Sequence, residues 1–209
     1  MAQNVFVLLL GFPGVGKLTI AQKLGPTLLA RVIDNHWINN PILALLDDDG
    51  RSPLPDTVWE QTAIIRQAVL DTIVTLCHPS ANFIFTNAGV QGNAKSLSSY
   101  QQMETTADRR GSLFVPVRLL CDEAELIRRM ATPSRRQRLK SIDTEAARHR
   151  SRTATVLDPE HPNGLTIDVT AIGAEESAKA IYAHIVDRAR NRGDDAERTP
   201  LTGSAVAKS

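Results

Sequence analysis

Residues 11–19 read Gly11-Phe12-Pro13-Gly14-Val15-Gly16-Lys17-Leu18-Thr19. Three glycines closely followed by a lysine are the pattern of a loop that wraps a phosphate with backbone N–H groups. Such a loop works only between a buried strand and a helix. The helix adds the positive end of its dipole, and the lysine adds a mobile charge for outer phosphates. Both neighbours are present. Val5 to Leu10 is an unbroken apolar run of strand length. Leu18, Ala21 and Leu24 then recur at helical spacing until Gly25-Pro26, which reads as a break. One position departs from the usual pattern. The residue after the lysine commonly carries a hydroxyl for Mg²⁺, and here it is Leu18, with Thr19 one place later.

Working outward, Arg31–Asp34 reads as a second strand, and Pro41 reads as a helix start. Residues 47–55 are a polar, proline-rich loop. Asp56 is placed to cap a long helix carrying Val58, Ile65, Val69, Ile73 and Leu76 as its apolar stripe. Asn82–Thr86 is the third strand, and Leu97, Tyr100, Met103 and Ala107 mark the next helix. Leu113 to Cys121 is the fourth strand despite Pro116, which cannot donate to a ladder. A helix over 123–131 follows, then an arginine-rich segment. Leu165 to Val169 is the fifth strand and Glu175 to Arg190 the last helix. Residues 191–209, rich in Gly, Asp, Thr and Ser, read as a disordered tail. Strands alternating with helices predict an α/β fold with a parallel sheet covered on both faces, whose ligands sit beyond the carboxyl ends of its strands.

Composition narrows the classes. The chain has 209 residues, formal net charge +1 and 42% apolar residues, as expected of one domain with an ordinary core. Near-neutral charge argues against coating nucleic acid or an anionic membrane. No apolar run reaches the ~18 residues of a membrane span. The first ten residues lack a basic segment and a cleavage site, so a signal peptide is not expected. Cys77 and Cys121 lack metal spacing and read as reduced cysteines of a cytoplasmic protein.

GFPGVGKLT resembles the loop of adenylate kinases, within the wider group of nucleoside-monophosphate, shikimate and gluconate kinases. That loop reads G-x-P-G-x-G-K-G-T, with proline third and no hydroxyl directly after the lysine; Leu18 replaces a glycine. The resemblance implies a three-layer phosphate-loop sandwich of five parallel strands in the order 2-3-1-4-5, with a helical lid rich in arginine. Residues 1–190 would form this one domain, with the lid at about 131–152. It implies ATP and Mg²⁺ as cofactors, the nucleotide held by Gly11, Pro13, Gly14, Val15, Gly16, Lys17, Leu18 and Thr19, with Thr19 facing the α-phosphate. The chain also resembles bacterial phosphate-loop ATPases of unassigned substrate.

On the acceptor side, Asp34-Asn35-His36 follows the second strand, where shikimate- and gluconate-type kinases carry two acidic residues. By resemblance Asp34 serves metal and acceptor, and His36 stands in the second position. A carboxylate there can take a hydroxyl proton, and a histidine can hydrogen-bond an acceptor or act as base. A helix cap at Asp34 and a rim histidine at His36 are the plainer readings. Arg66 resembles an acceptor-anchoring arginine of shikimate kinases, and a solvated helix arginine is the alternative. The third strand ends in Thr86-Asn87-Ala88-Gly89, all neutral, where many phosphate-loop enzymes place an aspartate. The segment Ala88–Gly92 also lacks the arginine by which nucleotide-acceptor kinases grip a phosphate.

Residues 128–152 contain nine lysines or arginines of the chain's 24. Mobile arginines closing over a transferring phosphoryl group stabilise its charge. By resemblance Arg129 lies on the adenine face, and Arg135 and Arg136 contact phosphates; a solvated basic helix is the alternative. The segment after the fifth strand, Asp168–Ile172, resembles the one whose backbone meets the adenine edge. The implied activity is transfer of the γ-phosphoryl of ATP to a small-molecule hydroxyl. Alternatives are a nucleoside-monophosphate kinase and a nucleotide-binding regulator without phosphotransfer. Expected partners are the nucleotide and a small acceptor, with the protein a monomer or homodimer.

Overall fold

The computed structural model describes residues 2–46, 54–130 and 143–198, with side chains as far as 192. Arg135 and Arg136, most of the loop over 47–55, and residues 199–209 lie outside the described residues. Strand β1 (Val5–Leu10) leads into helix α1 (Lys17–Leu28), then β2 (Ala30–Ile33), α2 (Asn35–Leu43), α3 (Asp56–Leu76) and β3 (Asn82–Asn87). Helix α4 (Ala94–Arg109), β4 (Leu113–Leu120), α5 (Glu123–Met130), α6 (Thr144–Thr153), β5 (Leu165–Asp168) and α7 (Ala174–Arg198) complete the chain. The five strands form one parallel sheet in the order β2-β3-β1-β4-β5.

Central strand β1 is buried along its whole length because both sheet faces are covered. Its alternate residues serve two cores. Phe6, Leu8 and Leu10 join Phe83, Phe85 and Phe114 beneath residues of α3 and α4. Val5, Val7 and Leu9 join Ile84, Val115 and Val117 beneath α1 and α7. That alternation is the period-2 geometry of a strand. Helix α1, which follows the glycine-rich loop, lies on the second face.

Several local expectations change. Helix α1 runs through Gly25-Pro26 and ends one turn later, at a left-handed Leu29 whose N–H meets the carbonyls of Gly25 and Pro26. Close packing accounts for the glycine within the helix: a Cβ on Gly25 would stand 3.1 Å from Val32 Cγ2. Pro41 lies inside α2, and Asp56 is the first residue of α3, after Pro55 in the cap position. Leu76 is exposed, whereas Val58 and Ile73 are buried as the stripe requires. Pro116 does sit within β4. It stands one residue before the β4–β5 ladder begins at Val117, where a missing N–H toward β5 removes no bond. Helix α7 continues to Arg198, past the Arg190 expected from the sequence. Among the described residues, no helix is long and apolar enough to cross a membrane.

Candidate functional site

The loop between β1 and α1 has a shape its sequence explains. Val15 N–H donates to Phe12 O at 3.3 Å, closing a turn with Pro13 and Gly14 at its centre. Proline's fixed φ suits the first central position, and the positive φ of Gly14 suits the second, as in a type II turn. A Cβ at Gly14 would also stand 2.8 Å from Met130 Cγ and 3.1 Å from Leu126 O, so the glycine lets α5 approach. Gly16, at φ 103°, is the N-cap of α1. Lys17, Leu18 and Thr19 therefore open the helix, the end whose N–H groups and dipole favour an anion.

Lys17 Nζ folds back over this loop and donates to Gly11 O at 2.7 Å and Phe12 O at 3.1 Å. The ammonium is thus held at the mouth of the loop, where a phosphate oxygen can replace those carbonyls. Leu18 is half-buried and Thr19 is exposed on the first turn of α1.

Asp34 directly follows β2 and takes the N-cap position of α2 without a side-chain cap bond. One partner lies on the neighbouring strand. Thr86 Oγ1 donates to Asp34 Oδ1 at 2.6 Å and accepts from Asn35 N–H at 3.0 Å. Register brings them together: Ile33 pairs with Phe85, so Asp34, just past the end of β2, lies beside Thr86 of β3. Thr86 shares the face of Ile84, the α1 face, and is fully buried. Sequence reading noted only that this strand end is neutral, and missed that its hydroxyl holds the carboxylate. Strand pairing was the signal that finds it.

His36 is half-buried on α2, and its Nδ1 meets Asn40 Oδ1 at 3.2 Å, which fits the Nδ1–H tautomer. Arg66 lies on the buried stripe of α3 with Thr62 and Leu70. Burial pushes its guanidinium below the ordinary arginine value, and its Nε has no hydrogen-bond partner among the described residues.

Arg129 joins three elements. Its Nε donates to Glu125 Oε1 at 2.6 Å, Nη1 to Val15 O at 3.0 Å and Nη2 to Val169 O at 2.7 Å. The loop, α5 and the end of β5 are thereby tied together around a cavity of about 270 Å³, lined by Val15, Thr19, Arg129, Ile172 and Ser177 among others. Glu125 also accepts from Arg128, and this guanidinium first, then Arg129, holds its carboxyl at about 2. It stays ionised at neutral pH. Thr170 holds the Asp168 carboxyl below its ordinary value and receives Asp122 N–H on its hydroxyl.

The described part of the basic window forms a clasp. Arg152 makes two hydrogen bonds of 2.8 Å to Glu123, and Arg148 Nε lies 3.5 Å from the same carboxylate. Beyond α6 the chain crosses the exit of β3. Gln91 N–H donates to Thr155 O and Leu157 N–H to Gly89 O, while a Cβ on Gly89 would stand 2.9 Å from Leu157 Cβ. The exit where nucleotide-acceptor kinases carry an arginine is closed here by backbone pairing. Among the described residues, no group of three or more His, Cys, Asp or Glu side chains converges as a metal site.

No family model matches the chain, and no curated protein matches it in sequence. Solved structures do match. A gluconokinase from Sinorhizobium meliloti 1021 superposes with a TM-score of 0.66 at 15% identity, over 93% of this chain and 99% of that one. A putative kinase from Chloroflexus aurantiacus j-10-fl gives 0.61 at 18% identity, over 90% and 98%. Thymidylate kinase from Candida albicans gives 0.58 at 17% identity, over 91% and 94%. This chain has the fold of the phosphate-loop kinases, with the five-stranded order the resemblance implied.

Proposed function

We propose that this protein transfers the γ-phosphoryl group of ATP to a hydroxyl of a small molecule. The observation that carries the reading is that a phosphate-wrapping loop bearing Lys17 and a carboxylate, Asp34, held by a buried hydroxyl, both lie at the carboxyl end of one parallel sheet. Phosphoryl transfer needs little covalent help from protein. It needs in-line positioning and charge stabilisation. The loop N–H groups would bind the β- and γ-phosphates, and Lys17 would move from its carbonyls to their oxygens. The cavity beside Arg129 would take the base. Asp34 would accept the proton of the acceptor hydroxyl as its oxygen bonds to phosphorus and the bond to ADP breaks. Arg135 and Arg136 are assigned to the transferring group by resemblance alone.

The residues present fit Mg²⁺ that arrives with the nucleotide's phosphates: Asp34 is the carboxylate that would hold it, and among the described residues no group of three or more His, Cys, Asp or Glu would hold a metal alone. Mg²⁺ would neutralise phosphate charge. Leu18 lies outside this set. Leu18→Ser is therefore expected to leave the Mg²⁺ requirement of ATP turnover unchanged within a few-fold. ATPase activity that appears only in Leu18→Ser would favour the regulator reading instead.

Three observations favour a hydroxylated, neutral or acidic acceptor over a nucleoside monophosphate: the closed β3 exit, the absence of arginine in Ala88–Gly92, and the half-buried Arg66. His36 and Arg66 are assigned to acceptor binding. The test is ADP release from ATP against hydroxy acids, polyols, nucleosides and nucleoside monophosphates. A rise with a hydroxy acid or polyol supports the reading. A rise only with a nucleoside monophosphate reassigns the acceptor. Tight ATP binding with no stimulation by any compound supports a nucleotide-binding regulator.

A further inference from the structure

We propose that Thr86 is a positioning residue that sets the orientation of the Asp34 carboxylate, in place of the second acidic group that many phosphate-loop enzymes carry at this strand end. The inference rests on the kinase reading for its role, and on geometry alone for the contact. A threonine hydroxyl has one proton. Thr86 Oγ1 accepts the Asn35 N–H at 3.0 Å, which orients its remaining valences, and its proton is directed to Asp34 Oδ1 at 2.6 Å. The hydroxyl is fully buried, so water does not compete for that proton.

The same side chain therefore holds both the carboxylate and the backbone that carries it. Asp34 makes no side-chain cap bond to its own helix, and Thr86 reaches its carboxylate from β3. The rigid element is β3, paired on one side with β1 and on the other with β2. A carboxylate meant to receive a proton from a bound hydroxyl must be placed to within a fraction of an ångström. A loop-end aspartate gains that placement from a strand. A hydroxyl also achieves it without adding a second negative charge beside the phosphates, as an aspartate at position 86 would.

The test uses Thr86→Val, which keeps the shape and removes the donor, and Thr86→Ser, which restores it. Losing a hydrogen bond to a charged group predicts a fall in kcat for ATP turnover of about tenfold or more in Thr86→Val. KM for ATP should stay within a few-fold, and Thr86→Ser should recover most of the rate. In an Asp34→Ala background, Thr86→Val should cost little more, since its target is gone. Parent-like kcat in Thr86→Val, or an equal loss with and without Asp34, overturns the proposal. Should Thr86→Val not fold, Thr86→Ala is compared with Thr86→Ser in the same way. A crystal structure of the valine or alanine variant needs no turnover. A carboxylate of Asp34 turned from Thr86's position supports the proposal, and an unchanged carboxylate overturns it, even if the parent transfers no phosphoryl group.

Discussion

Asp34→Asn is expected to lower phosphotransfer by about 10²-fold or more, the scale of general-base effects, while ADP binding stays within a few-fold. The substitution keeps the shape of the side chain. Thr86 Oγ1 can still donate to the amide oxygen as it does to Asp34 Oδ1, so α2 and the β2–β3 edge should hold their places. What is lost is the negative charge, which matters only where a proton leaves the acceptor and a cation is steadied. The loss should therefore appear in kcat and not in nucleotide affinity. Acceptor-driven ADP release measures it, and slow ATP hydrolysis, with water as acceptor, serves until the acceptor is known. Parent-rate hydrolysis in Asp34→Asn would remove Asp34 from the mechanism and leave a nucleotide-gated binding protein as the better description.

Lys17→Ala should weaken ATP binding by about ten- to a hundred-fold, as expected for losing charged hydrogen bonds worth about 1.5–3 kcal/mol. Two effects combine. The γ-phosphate loses its ammonium, and Gly11 O and Phe12 O lose the donor that covers them at the loop mouth. Fold stability should change little, because Lys17 is only half-buried and those carbonyls can turn to water. Calorimetry with ATP, beside a thermal melt, separates the two. Unchanged ATP affinity would refute the phosphate-loop assignment, and with it the reading of Asp34 as the neighbour of a transferred phosphoryl group.

The sequence by itself determined the architecture and the phosphate loop. Both are local signals. A parallel sheet covered on both faces makes β1 apolar at every position, and the loop needs glycine where φ is positive and lysine at a set distance. Nine residues carry that information without reference to the rest of the chain. Asp34 was singled out by the resemblance of the segment after the second strand, and its place between β2 and α2 is also a local feature.

Only the tertiary structure decided what surrounds those residues. Thr86 is 52 positions from Asp34, and nothing within either segment announces the pair; it exists because β2 and β3 lie in a register that places the two strand ends together. Arg129 reaches Val15 across 114 positions and Val169 across 40, so its bridging role needs α5 and β5 already packed. The closing of the β3 exit by residues 155–157 is another long-range contact, with no trace in the neutral stretch Ala88–Gly92. Gly25-Pro26 shows the opposite limit. Local propensity read a helix end there, yet α1 continues one turn past the pair, with Gly25 buried close against Val32, a neighbour that the local sequence does not name.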